Sequence, residues 1–178
     1  IENGYTNYSS ILGLLWTSGE SVVGTWKLSS FYLLSEGDSL NGYTMIVNAA
    51  NADFVGVDTT DTGNSEGIMR KNVPDETFGS VFEMQITKDG NGGLKGGFCI
   101  NKTFPVNGKL MFYVKNPMEE KRILNLYGVQ SGQWCQLNSS DIELNPGWNQ
   151  VTVNLECDTS IENGYTNYSS ILGLLWTS

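Results

Sequence analysis

Residues 1–18, Ile1-Glu-Asn-Gly-Tyr-Thr-Asn-Tyr-Ser-Ser-Ile-Leu-Gly-Leu-Leu-Trp-Thr-Ser18, recur letter for letter as residues 161–178, an offset of 160. Two unrelated segments of that length do not coincide, and old duplications inside one domain drift apart. One globular domain has no use for the same segment twice, because the copies compete for one place in its core. Three origins fit. The chain is a window slightly longer than one period of a tandem array, or one end was deliberately copied onto the other, or the copy is an accident of cloning. Self-similarity at a fixed period is the signature of repeat proteins, which puts the array first. The period is long for a solenoid and suits whole domains strung together.

One period is large enough to bury a sizeable core. Apolar residues make up 39% and charged residues only 16%, and the polar remainder leans on Asn, Ser, Thr and 21 glycines. That balance suits an all-β extracellular or cell-surface protein. The net charge of −9 argues against nucleic acid and anionic membranes as partners. The longest apolar run, around Ile11–Trp16, falls far short of the roughly 20 residues a membrane helix requires, so no membrane insertion is expected.

No segment carries a helical period. Short β-rich runs alternate instead with Gly, Asn, Asp and Pro. Strands are expected over residues 11–17, 25–34, 40–48, 53–57, 68–72, 81–87, 97–104, 109–115, 122–127, 133–137, 141–144 and 148–155. The runs 97–104 and 109–115 read as a pair joined through Pro105–Gly108, and Lys88–Gly93 is a strong turn signal. Phe82, Met84 and Ile86 alternate with polar neighbours, as do Leu110, Phe112 and Val114, and Val151, Val153 and Leu155. The pleat puts each trio on one face, which predicts the core, with Gln150, Thr152 and Asn154 outside. About ten such strands argue for a two-sheet antiparallel sandwich.

The stretch Arg122-Ile-Leu-Asn-Leu-Tyr127, followed by Pro146-Gly-Trp-Asn-Gln-Val-Thr-Val-Asn-Leu155, resembles the second half of a jelly-roll carbohydrate-binding module. In that family a "gly-trp-asn-x-val" strand precedes an "ile-x-gly-leu-x-leu" strand and a closing "gly-thr-trp-x-leu-x-x-phe-x-leu" strand. The first follow-on strand looks like Ile171-Leu-Gly-Leu-Leu175. The closing one looks like Gly24-Thr-Trp-Lys-Leu-Ser-Ser-Phe-Tyr-Leu33, near the wrong end of the chain. Reading past Ser178 into Gly19 restores the family's order, which supports the array independently. The resemblance covers about half of a period and implies one jelly-roll sandwich per 160-residue repeat. Residues 1–34 are then the last strands of a preceding repeat, or permuted strands of this one, and 35–178 a repeat lacking its closing strand. The family's closing strand often carries an aspartate that helps hold a structural calcium, where Ser29 and Ser30 stand here. No cofactor or metal is therefore expected. The acidic loops Glu36–Asp38 and Asp58–Asp61 read as solvated, with calcium ligation the alternative.

The chain has no histidine, the commonest general base and metal ligand, and no Cys-x-x-Cys pair. Glu119-Glu120 is the one pair of adjacent glutamates, and it reads as a solvated charge run rather than as glycosidase chemistry. No enzyme is expected. Sugar rings stack on Trp and Tyr, but so do sandwich cores. Trp134, Trp148, Tyr127 and Tyr113 are the candidate sugar contacts, with packing inside the protein as the competing role. Sequons at Asn7, Asn101, Asn138 and Asn167 are candidate glycosylation sites, no more numerous than this composition would produce. Of three cysteines, Cys135 and Cys157 are candidate disulfide partners because their strands lie close in sequence. Three buried thiols are the alternative.

Two functions follow from these readings. The first is a structural repeat in the shaft of an extracellular filament or adhesin, whose partners are copies of itself joined head to tail. The second is a non-catalytic carbohydrate-binding module that takes glycans.

Overall fold

The computed structural model describes residues 20–34 and 42–176. The expected strand at 11–17, the acidic loop at Glu36–Asp38, the sequon at Asn7 and the proposed boundary between 34 and 35 lie outside those residues.

The protein is all-β, with two antiparallel sheets facing each other across one core. Sheet A contains β1 (Gly24–Leu28), β2 (Phe31–Leu34), β3 (Thr44–Val47), β5 (Glu66–Asp75), β6 (Gly79–Lys88), β9 (Lys109–Asn116) and β13 (Gly147–Asn154). Sheet B contains β4 (Val55–Val57), β7 (Leu94–Ile100), β10 (Arg122–Gln130), β11 (Gln133–Gln136), β12 (Ile142–Leu144) and β15 (Ser170–Trp176). A two-stranded ribbon joins β8 (Phe104–Pro105) to β14 (Asn167–Tyr168), and a short helix, α1, spans Asp158–Glu162. The sequence carries no period for that helix, which is too short to show one.

The period-two alternation sets the core. Phe82, Met84, Ile86, Leu110, Phe112, Val114, Val151, Val153 and Leu155 are all buried, whereas Gln150, Thr152 and Asn154 are exposed. β13 pairs with β9 in the register Val151↔Phe112 and Val153↔Leu110, so like faces meet along the ladder. Phe31, Phe98 and Phe112 pack at the centre with centroids 4.6–6.0 Å apart.

The pairing expected between 97–104 and 109–115 does not form. β7 belongs to sheet B and β9 to sheet A, and the two face each other across the core, Phe98 edge-on to Phe112 at 6.0 Å. Turn residues mark where a chain reverses but do not say whether it stays in its sheet. The strand expected over 25–34 is broken. At Ser29 and Ser30 the ladder gives way to side chains: the Tyr113 amide donates to Ser29 Oγ (2.8 Å) and the Ala49 amide to Ser30 Oγ (3.0 Å). β1 pairs with β6 before this break, and β2 pairs with β3 after it.

Candidate functional site

Residues 161–176 of the C-terminal copy of the repeated segment are built into the fold. It begins in α1, passes through β14 and ends as β15, which lies inside sheet B between β10 and β7. Ile171, Leu172, Leu174 and Leu175 are all buried, each contributing roughly 1.5–3 kcal/mol of apolar transfer. Tyr168 is buried as well, and its hydroxyl donates to the Leu155 carbonyl at 2.6 Å. A Cβ on Gly128 would come within 2.5 Å of that ring, so glycine there makes room for the tyrosine. Gly173 does the same for the Phe98 ring, which a Cβ would strike. These fits make β15 a specific occupant of a shaped slot.

The far end of β15 meets the start of the described N-terminal stretch. Trp176 pairs with Ile123, and the neighbouring Arg122 donates from Nε to the Ser21 carbonyl (3.0 Å) and from Nη1 to Glu20 (2.9 Å). Leu175 pairs with Gly96, whose Cβ, if it had one, would lie 3.2 Å from Val22 Cγ2. The strands β1 and β2 and the strand β15 therefore complete the same body, although they come from opposite ends of the chain.

The four aromatics singled out in the sequence fall on opposite sides of the sandwich. Tyr113 and Trp148 lie on the outer face of sheet A. Phe78, from the turn between β5 and β6, lies against both, at 5.0 Å from Tyr113 and 4.7 Å from Trp148. The Tyr113 hydroxyl also donates to Gln150 at 3.2 Å. This cluster is closed on itself by Phe78, a turn residue that no strand pattern brings forward.

Tyr127 and Trp134 lie together on the outer face of sheet B, with centroids 5.6 Å apart and planes at 52°. Trp134 is 41% exposed. Alternation along β15 puts Leu172, Leu174 and Trp176 on this same face, because Ile171 and Leu175 point into the core. Trp176 Nε1 is buried without a hydrogen-bond partner of acceptable geometry, although it stands near the Tyr127 hydroxyl. Burial, with Asp141 nearby, raises the Tyr127 pKa and keeps the phenol protonated. Trp176 was missed in the sequence because its run reads as plain core. The period-two count from Ile171 would have placed it.

Asp58 continues β4 on the same face, its amide donating to the Gly97 carbonyl at 2.9 Å. Its side chain is 6% exposed. Oδ1 accepts weakly from the Thr60 and Asp61 amides, while Oδ2 is buried with no partner among the described residues. Burial and the Asp58 charge raise the pKa of Asp61. Burial, then Asp58 and Asp61, push the Cys99 thiol up to about 11. The face thus carries an aromatic pair, an unpaired indole N–H and an unpaired carboxylate oxygen. The aromatic pair lies on β10 and β11, toward one edge of sheet B, and Asp58 follows β4 at the other edge.

At the sandwich edge a polar groove of about 770 Å³ runs between the 136–142 loop and the β13–α1 segment. Its inner wall is a side-chain network around buried Asn125, which donates to Asp141 (3.1 Å) and accepts from Gln136 (3.0 Å) and Asn138 (2.5 Å). The Asn138 amide nitrogen is engaged there and with the Ser140 carbonyl, leaving it poorly placed to carry a glycan. Asn101 and Asn167 are exposed. Cys135 and Cys157 stand together as a disulfide with Cα atoms 6.4 Å apart, and Cys99 is unpaired. Among the described residues there is no group of three or more His, Cys, Asp or Glu side chains fit to hold a metal.

The chain matches no known protein family, no curated protein and no solved structure.

Proposed function

We propose that this chain is a structural repeat of an extracellular filament or adhesin shaft, a jelly-roll unit of 160 residues joined head to tail to copies of itself. The observation that carries this reading is the place of the repeated segment. Its described part forms a strand inside sheet B, and the ladder partners of Leu175 and Trp176 adjoin the contacts made to residues 20–22. In a tandem array Ser178 would be followed by Gly19, and the short remaining gap to Ser21 suits a continuous strand order within each unit. The unit is non-catalytic and works without a cofactor. In support, the hydroxyls of Ser29 and Ser30 already take the amides at the break where the resembled family places a calcium-binding aspartate. A Cys135–Cys157 bridge suits an oxidising, extracellular setting. The test is a chain of several whole periods studied by small-angle scattering and electron microscopy. It should be a rod whose length rises in proportion to the number of periods, and a particle that does not lengthen with added periods refutes the shaft.

A second reading, a carbohydrate-binding module, is favoured by the Trp134–Tyr127 pair on the outer face of sheet B, with Trp134 41% exposed. A glycan array decides it. Binding that disappears in Trp134→Ala and persists in Trp148→Ala assigns the sugar to sheet B, and an array with no positive glycan removes the reading.

A further inference from the structure

We propose that the β15 slot accepts either copy of the repeated segment, so that residues 1–18, from the same chain or from a second copy of it, can replace 161–178. The inference rests on the array reading above and names the contact between its units. The two copies are identical, so every side-chain fit that holds β15 is available to both. Tyr8 stands for Tyr168, Gly13 for Gly173, Leu15 for Leu175 and Trp16 for Trp176.

Both covalent approaches to the slot are short. The C-terminal copy arrives from Leu155, at the end of β13, through α1 and β14. The N-terminal copy would leave the slot toward β1. Val22 packs beside Gly96, the ladder partner of Leu175, and Arg122, next to the partner of Trp176, holds Ser21 and Glu20. With Leu15 in the place of Leu175, the six residues 16–21 must span that step. Extended, they reach about 20 Å, and a step between neighbouring strands and across a layer needs about half of that.

The strand order is therefore circular, and the slot can be served from either side. In an array each slot lies between two copies, the one that follows its body and the one that precedes it. A copy with an apolar face that is not seated in one slot can enter the neighbouring slot, whose sheet edges are open while it is empty. Donation in one direction along the chain is a heterologous contact, which propagates into a line rather than closing.

The test places one buried charge in each copy of the full-length chain. Leu175 is 1% exposed, and an aspartate there would be an unpaired carboxylate in the core. If the slot takes either copy, Leu175→Asp and Leu15→Asp each keep a cooperative melt within about 5 °C of the unsubstituted chain, and the double variant loses it. Sedimentation of Leu175→Asp then shows whether the replacement comes from the same chain or a second one. The proposal is overturned if Leu175→Asp alone falls by more than half of the double variant's loss. It is also overturned if the double variant melts like the parent. Either failure leaves the rod test of the shaft standing, because an array can be built with each unit using only the copy that follows it.

Discussion

Arg122 Nε donates to the main-chain oxygen of Ser21 at 3.0 Å, across 101 residues of sequence, and so ties β10 to the entrance of β1. The Arg122 side chain is nearly buried, and its Nη1 reaches both Glu20 and the Lys121 carbonyl. A planar fork serves three acceptors that no other element satisfies in this way.

Arg122→Ala should lower stability by about 1–3 kcal/mol, since it removes the charged hydrogen bonds of a nearly buried side chain. Arg122→Lys should recover only part of the loss, because an ammonium cannot reach all three oxygens. Urea denaturation of both variants checks this. Equal stability of Ala and Lys variants would contradict the role of the fork.

Phe112 is fully buried between Phe31 and Phe98, at the point where the two sheets touch. Phe112→Ala should cost about 3–5 kcal/mol. Trp134→Ala, at an exposed site, should cost well under half of that. Thermal melts of the two variants compare the inside and the outside of the sandwich directly.

Two aspartates act on the acid limb of stability in opposite directions. Burial alone would raise the Asp75 pKa, but the Thr77 and Phe78 amides and Lys27 outweigh it, so the net shift is downward. A depressed carboxyl stabilises the fold above its unfolded pKa of 3.8, and that stability is lost as pH falls through the lower folded value. Asp75→Asn should therefore flatten the loss of stability below about pH 4. Asp61 is shifted upward by burial and by Asp58, so its charge opposes folding at neutral pH. Asp61→Asn should raise stability at pH 7, with the gain shrinking as pH falls through the raised folded pKa and gone below 3.8. Melts between pH 2 and pH 7 would read both slopes.

Without reductant the denatured chain should show one free thiol, Cys99. In the folded protein at pH 8 that thiol should react slowly, since burial and two nearby carboxylates hold it protonated. Reduction of Cys135–Cys157, which closes a loop of 22 residues, should destabilise the fold by about 2–4 kcal/mol. A denatured, unreduced chain with three reactive thiols would show that the bridge does not form.

The sandwich core was legible in β6, β9 and β13 because alternation is a local property: the pleat assigns Phe82, Phe112 and Val151 to one face whatever surrounds them. Turn positions were legible for the same reason, as Gly and Asn at Lys88–Gly93 announce a reversal by their own backbone freedom. Which sheet a strand joins is not local. Phe98 and Phe112 were expected on paired strands and instead meet across the core, since only the balance of packing over both sheets decides that. The same holds for the aromatics. Tyr113 and Trp148 share their face with Phe78, while Tyr127 and Trp134 share theirs with Trp176, and no spacing in the chain separates the two groups. β15 reads as an unbroken apolar run because Leu172 and Leu174 are buried on the outer side while Ile171 and Leu175 are buried on the inner one. That the segment occurs twice was plain from residue 1 onward. That one body offers it a slot, with the ladder partner of Trp176 next to Arg122 and its bond to Ser21, was decided by Arg122, Gly96 and Gly173, which are brought together only when both sheets have closed.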